Sequence, residues 1–426
     1  MVFGTFNLGK FSDRMIMILI LQRVMPSGLP TDSIDIAIIG GGPHALTLVT
    51  HVLEKRKQLR DRIRVFDPSG AWISRWQRQF ANYEIPHLRS PAVHQPDPHP
   101  FALRGFAEGR SEEFHAPYDL PGTQLFQDFC HEVIRRWGLE DHVVKGNVTE
   151  VLPVAQGSSG FELGFDDGTR VRAKRVVYAG GGGSPNIPAW VAQAQGRYPA
   201  DRLKHASQVR LSEETIQKGD RVVIVGSGLT SGHLAIGAVA RGATVMMMAR
   251  RSYYEKLFDA EPGWLGPKYL KDFWAEKSWE VRAKQVKEAR NGGSLTPAIL
   301  TKLRKFKAEH RVEFHENCQV RSLVWDSHEW TVQCKDGEIM QCDRIWVATG
   351  SQLNIQQHPL FRQVLNDCPI DVVQGFPVLD EQLRWKGCPL YLMGGFAGLQ
   401  VGPTARNLSG ARMASERITA GLIHQH

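Results

Sequence analysis

Two glycine clusters carry the residue types and spacings best suited to chemistry. The first, IAIIGGGPHALTL, places Gly40, Gly42 and Ala45 as G-x-G-x-x-A, with Pro43 just inside the segment that follows. The first glycine of such a pattern permits a tight turn, and the second lets backbone approach a pyrophosphate. A small third residue allows a helix to pack closely on a strand. The free amides of the helix N-terminus then face the phosphates. Asp67, in RVFDP, stands where an acid accepts a hydrogen bond from an adenosine ribose 2′-hydroxyl. The second cluster, VVIVGSGLTSGHLA, repeats the pattern with Gly226, Gly228 and Ser231. The apolar run after it ends in Arg250 and Arg251 where the first had its acid. Arginine accommodates a 2′-phosphate. The first turn therefore suits FAD, and the second suits NADPH over NADH.

These turns need strands before them and helices after them. Continuous apolar runs at 34–39, 62–66, 176–179, 221–225, 243–249, 344–348 and 390–393 have the character of parallel strands buried on both faces. Helical spacing occupies 43–57, 123–137, 229–241, most of 267–309, and 405–422. Shorter alternating runs at 143–175 and 318–334, with Asp-Gly turns at 166–168 and 335–337, suggest β-meanders. The fold class expected is α/β: two Rossmann-like dinucleotide-binding domains, the second inserted in the first, with small β-meanders. The FAD-binding domain is assigned to 33–204 and 345–426. The NAD(P)H-binding domain is assigned to 205–344, with a helical insertion at about 267–309. Residues 1–32 form an N-terminal arm outside the folded domains. Its apolar stretch is too short for a good signal peptide, and no A-x-A site follows. Small-residue turns mark the joins, VVYAGGGGSPNIP at 176–188 and IWVATGSQ at 345–352, the latter holding Gly350. The last strand runs into a glycine loop and helix, LYLMGGFAGLQVGPTARNLSGARMASERI. Gly395 and Asn407, with Arg412, are expected there near the flavin ring or phosphates.

Composition sets bounds on this reading. The 426 residues are 42% hydrophobic and 23% charged, which excludes wholesale disorder and fits two or three domains. Net charge is +8, but the span 268–311 alone holds 12 Lys/Arg against 5 Asp/Glu. A local excess of this kind is a solvated helical face or a field for an anionic cofactor, and no nucleic-acid motif accompanies it. No apolar run reaches the roughly 18 residues of a membrane span. Six cysteines without a CxxC pair point away from a disulfide framework, a zinc ribbon and a CxxC redox dithiol, and toward a reducing, cytoplasmic setting. The irregular span 72–122 contains YEIPHLRSPAVHQPDPHPFAL, where His87, Arg89 and Ser90 are the candidates for flavin or substrate contact. His94 and His99 lie among prolines that argue against a metal cage, and no metal is expected. Asp259, Trp264 and Lys268 follow the arginine pair and border the same cleft, or serve as cap and packing residues.

The chain resembles two-dinucleotide-binding-domain flavoproteins, and more narrowly the lysine/ornithine N-hydroxylase and flavin-containing monooxygenase group, over about residues 33–420. The matching positions are Gly40, Gly42, Ala45 and Asp67 for the flavin, Trp72 and Trp76 of GAWISRW, and Gly226, Gly228 and Ser231 for NADPH. Of the group's Phe-x-Gly-x-x-x-His signature only His205 is kept, with Tyr198 and Ala200 at the other positions. Trp76 is carried over as a cofactor-side residue. The resemblance implies hydride transfer from NADPH to FAD, then oxygen insertion into a small nucleophile such as an amine through a peroxyflavin. The partners are thus a small-molecule substrate and dioxygen, and a homo-oligomer is compatible with the sequence. The missing CxxC separates the chain from the disulfide reductases that share the fold. An NAD(P)H-dependent flavin reductase or oxidase without oxygen insertion, and a non-enzymatic flavin-binding sensor, remain alternatives.

Overall fold

The structure is a computed structural model that describes residues 33–154, 160–181, 183–290 and 292–423. The arm expected over 1–32 lies outside the described residues. The first unit begins with β1 (Ile34–Ile39), α1 (Pro43–Lys55) and β2 (Ile63–Asp67). It continues through α2 (Ser74–Asn82), α3 (Thr123–Arg136), β3 (Val143–Lys145), β4 (Val148–Pro153), β5 (Phe161–Phe165) and β6 (Arg170–Tyr178). The second unit holds β7 (Leu203–His205), β8 (Arg221–Val225), α4 (Leu229–Ala240) and β9 (Thr244–Ala249). Three helices follow, α5 (Pro267–Ala275), α6 (Trp279–Arg290) and α7 (Pro297–Ala308). Then come β10 (Val312–Glu316), β11 (Val320–Trp325), β12 (Trp330–Cys334), β13 (Ile339–Cys342) and β14 (Arg344–Val347). The chain returns to the first unit with β15 (Leu390–Leu392) and α8 (Leu408–Ile423).

The first sheet runs β3-β2-β1-β6-β5-β4, with β15 also on β6. Its β3, β2, β1, β6 and β15 are parallel, whereas β5 and β4 are antiparallel. All six residues of β1 are buried, as a strand covered on both faces requires. The second sheet, β7-β14-β8-β9-β10, is wholly parallel.

Five details depart from the expected organisation. β6 is one strand where a meander ending at 175 and a separate strand at 176–179 were expected. Its first half alternates buried and exposed against β5, and its second half is buried between β1 and β15. β3 pairs in parallel with β2 and is no part of a meander. α2 arises inside the span taken as irregular, with Trp76 and Phe80 one turn apart and their rings 4.1 Å apart. The boundary drawn between 344 and 345 cuts β14, which pairs along its length with β8 in the second sheet. The crossing falls later, where Ser351–Gln352 pairs with Ser184–Pro185. The 267–309 helices also divide: α7 packs with α4 and β10, whereas α5 and α6 share a core with Phe376, Val378 and Leu399 of the returning segment.

Candidate functional site

The first turn has the geometry its glycines imply. Gly40 has φ +100°, and a Cβ there would stand 2.8 Å from Gly180 Cα. Gly42 is the N-cap of α1, Pro43 follows at the first helical position, and Ala45 is fully buried against the sheet. A Cβ on Gly42 would meet no protein atom within 4 Å, so this glycine leaves a space that the fold itself does not fill. Asp67 ends β2, and its Oδ2 accepts from Gly41 N at 3.0 Å while Oδ1 accepts from Ser69 N at 2.9 Å. The carboxylate is thereby fixed beside the turn with lone pairs to spare.

The second turn repeats this. Gly226 has φ +151°, and a Cβ there would lie 2.3 Å from the Ala348 carbonyl oxygen. Gly228 caps α4. Ser231 is buried and donates its hydroxyl to Gly228 O at 2.6 Å, so it serves the turn itself. Arg250 is exposed at the end of β9. Arg251 donates to Gly293 O at 2.9 Å, and its guanidinium lies 4.9 Å from the centre of the Tyr254 ring. Burial pulls its pKa below the ordinary value. Gly293 in turn packs on the second glycine turn, where its Cβ would come 2.9 Å from Gly228 Cα.

Between the units stands a guanidinium network. Arg89, with an 11% exposed side chain, donates to Leu257 O at 2.7 Å, Lys256 O at 2.6 Å, Ser294 Oγ at 2.8 Å and Asp259 Oδ1 at 2.6 Å. Asp259 also accepts from Arg290 at 3.3 Å, and Arg290 reaches Asn407 Oδ1 at 3.3 Å. Arg406 donates to Ser351 Oγ at 2.8 Å, and burial with the nearby Arg290 pushes its pKa down to about 10. Burial likewise lowers Arg89, against the pull of Asp259. Three guanidiniums thus surround one carboxylate, leaving this wall positive and attractive to an anion.

The sequence-designated residues divide on this geometry. Arg89, Asp259 and Asn407 are brought together, with Arg290, Arg406 and Ser294 as members that sequence reasoning missed. Arg290 was visible only as one charge in a basic stretch. Ser90 is half-buried beside Arg89. His87 stacks on His115 with centroids 4.5 Å apart, and its Nδ1 lies 2.9 Å from Leu88 O. Near it on α4 is His233, whose pKa burial, with help from His87 and Lys302, lowers to about 4. Trp72 donates to Leu139 O, and Trp76 packs on Phe80 and Phe126 in the first core, so both have packing partners. Trp264 and Lys268 belong to an aromatic cluster with Tyr269. His94 is half-buried, and the backbone of His99 is held by Gln95 and Asp97 in a loop that Arg412 pins through Pro98 O at 3.0 Å. Arg412 therefore fixes that loop. Gly395 is buried against Leu353, whereas Gly350, at φ +77°, leaves open space. Gly350 O accepts from Asn186 N at 2.9 Å and lies 3.2 Å from His205 Nε2, which places His205 at the crossing between units.

A disulfide joins Cys318 and Cys334, a pair the sequence did not single out when it pointed toward a reducing setting, because β-pairing brings residues 16 apart in sequence to a Cα separation of 6.0 Å. It lies in the three-stranded sheet β11-β12-β13 that covers one face of the second sheet. No helix among the described residues is long and apolar enough to cross a membrane.

Residues 34–414 match the family model described as pyridine nucleotide-disulphide oxidoreductase. No curated protein matches the chain. Among solved structures, the fold is similar to an ornithine N-hydroxylase from Kutzneria sp. 744 with reduced FAD, NADP+ and L-ornithine. That match has TM-score 0.75 and 16% identity, covering 92% of this chain and 100% of that one. It is similar also to a cadaverine monooxygenase of desferrioxamine biosynthesis from Erwinia amylovora, bound to FAD, with TM-score 0.74, 13% identity, and 92% and 95% covered. A bacillithiol disulfide reductase from Bacillus cereus matches with TM-score 0.58, 16% identity, and 93% and 100% covered.

Proposed function

The chain belongs to the pyridine nucleotide-disulphide oxidoreductase family, and on that footing we propose that it is an FAD-dependent monooxygenase that takes hydride from NADPH and hydroxylates a small amine. The overall reaction is amine + O2 + NADPH + H+ giving hydroxylamine + H2O + NADP+. The observation that carries this reading is the pair of matched glycine turns, the first followed by a strand that ends in Asp67 and the second by a strand that runs into Arg250 and Arg251, together with the positive wall between the units.

The residues fit FAD on the first turn, because Gly42 keeps a cradle that no protein atom enters and Asp67 is held at the ribose position. A bound flavin supplies hydride acceptance and activation of dioxygen. The chain's own work is positioning. The amides after Gly42 and after Gly228 hold pyrophosphates, and Arg250 and Arg251 select the 2′-phosphate. Arg89 and Asp259 lock the first-unit loop to the second unit, which fixes the distance between the two dinucleotides. Arg290 and Arg406 give an anionic group of the substrate or cofactor a place to bind. The greater fold likeness to two amine hydroxylases than to the disulfide reductase supports oxygen insertion. The reductase of like fold favours a second reading, hydride transfer without insertion. The test is turnover in air with NADPH and with ornithine, lysine or cadaverine. Hydroxylamine formed in step with NADPH consumption supports the proposal. Hydrogen peroxide as the only product with every amine overturns it in favour of the second reading.

A further inference from the structure

We propose that Cys318, Cys334 and Glu338, once the two cysteines are reduced, form a zinc site on the second unit. The disulfide and the metal are then alternative states of one cluster. Cys318 lies just ahead of β11, and its amide donates to Ala249 O at 3.0 Å, the residue before Arg250. Cys334 ends β12 and pairs with Val320. The Lys335-Asp336-Gly337 turn then folds the chain back, with Gly337 N donating to Cys334 O at 3.2 Å and Cys334 N to Glu338 O at 2.8 Å. This return sets the Glu338 carboxylate over the two sulfurs. All three ligand atoms lie within 4.8 Å of one another.

The donor set suits zinc. The two soft thiolates favour it over magnesium or calcium, zinc accepts the harder carboxylate as a third ligand, and water completes four-coordination. Both cysteines are buried, while Glu338 is exposed and gives the ion a path in. A neighbouring histidine supplies the supporting contact that metal-binding carboxylates commonly have. His315, on β10, places Nδ1 2.9 Å from Glu338 Oε1, while its Nε2 is buried without a hydrogen bond, 3.4 Å from Glu313. In sequence the set reads H-x2-C followed by C-x3-E, two short ligand-bearing hairpin ends brought together by strand pairing. The balance is simple. A thiol reductant donates two electrons and two protons to the disulfide. Zinc binding then releases those two protons as both sulfurs become thiolates.

The purified holoprotein, reduced with a phosphine and shown by thiol titration to have both cysteines free, would be loaded with zinc or cobalt(II) alone and desalted. One metal per chain is expected, with thiolate-to-cobalt charge-transfer absorption. Oxidised protein should lose the metal on desalting. Glu338→Gln, at an exposed position that leaves the strands intact, should lose zinc while retaining normal flavin content, and Cys334→Ser should lose the cobalt band. Reduced wild-type protein that retains no metal overturns the proposal. So does equal retention by the oxidised protein or by Glu338→Gln.

Discussion

Replacement of Arg250 and Arg251 by alanine should separate the two nicotinamide dinucleotides. The side chains differ in setting, so their effects should differ in size. Arg250 is exposed, and an exposed ion pair contributes about 0–1 kcal/mol, or up to about fivefold in affinity. Arg251 is half-buried and already held by Gly293 O and the Tyr254 ring. A pre-oriented charged hydrogen bond to phosphate contributes about 1.5–3 kcal/mol, or roughly 10–150-fold. NADP+ binding, followed by perturbation of the flavin spectrum, should weaken by these factors in the single variants and by about their product in the double variant. NAD+ lacks the 2′-phosphate and should change by less than about twofold in Arg250→Ala. Arg251→Ala will weaken NAD+ slightly more, because the 292–295 segment beside Gly228 loses a tether. Equal loss for NADP+ and NAD+ in every variant would refute the 2′-phosphate assignment and leave the arginines as support for the turn.

Gly42→Ala should fold with unchanged apoprotein stability, since its Cβ meets no protein atom, yet bind FAD more weakly; equal FAD content by absorbance ratio would contradict the cradle. Gly226→Ala, whose Cβ meets Ala348 O at 2.3 Å, should impair NADPH reduction while FAD remains bound, as anaerobic reduction rates would show. Arg89→Met leaves Asp259 short of a partner and removes four hydrogen bonds, so urea unfolding should show about 2–4 kcal/mol of lost stability, and none lost would remove the clamp role. His233 is neutral in the fold down to about pH 4, whereas an unfolded histidine takes its proton near 6.5. The unfolded state therefore binds more protons in that window. Stability is full above about 6.5 and falls by up to about 3 kcal/mol as pH drops toward 4, and His233→Gln should flatten that slope.

The elements that the sequence made legible are those whose pattern is purely local. β1 and β8 are short apolar runs buried on both faces, and they end at the glycines that break them. Both glycine turns followed from that break together with the helix it starts. β6 was divided because its burial changes from alternating to continuous halfway, when its neighbours change from β5 to β15. β14 was assigned across a boundary because a buried strand carries no mark of which sheet receives it. Arg89 and Asp259 were each singled out, but their pairing across 170 residues depends on tertiary docking. Arg290 and Arg406 were hidden for the same reason, one in a helix of many cations and the other beside Asn407. Cys318 and Cys334 escaped attention because only CxxC spacing was weighed, and β-pairing across a hairpin makes neighbours of residues far outside it.

The fate of the oxygen atoms separates hydroxylation from hydride transfer without insertion. The holoprotein should be turned over with NADPH, an amine substrate and isotopically labelled dioxygen, and the product analysed by mass spectrometry. One labelled oxygen atom in a hydroxylamine is the expected result. Unmodified amine, with all the label in hydrogen peroxide and water across ornithine, lysine and cadaverine, would contradict it.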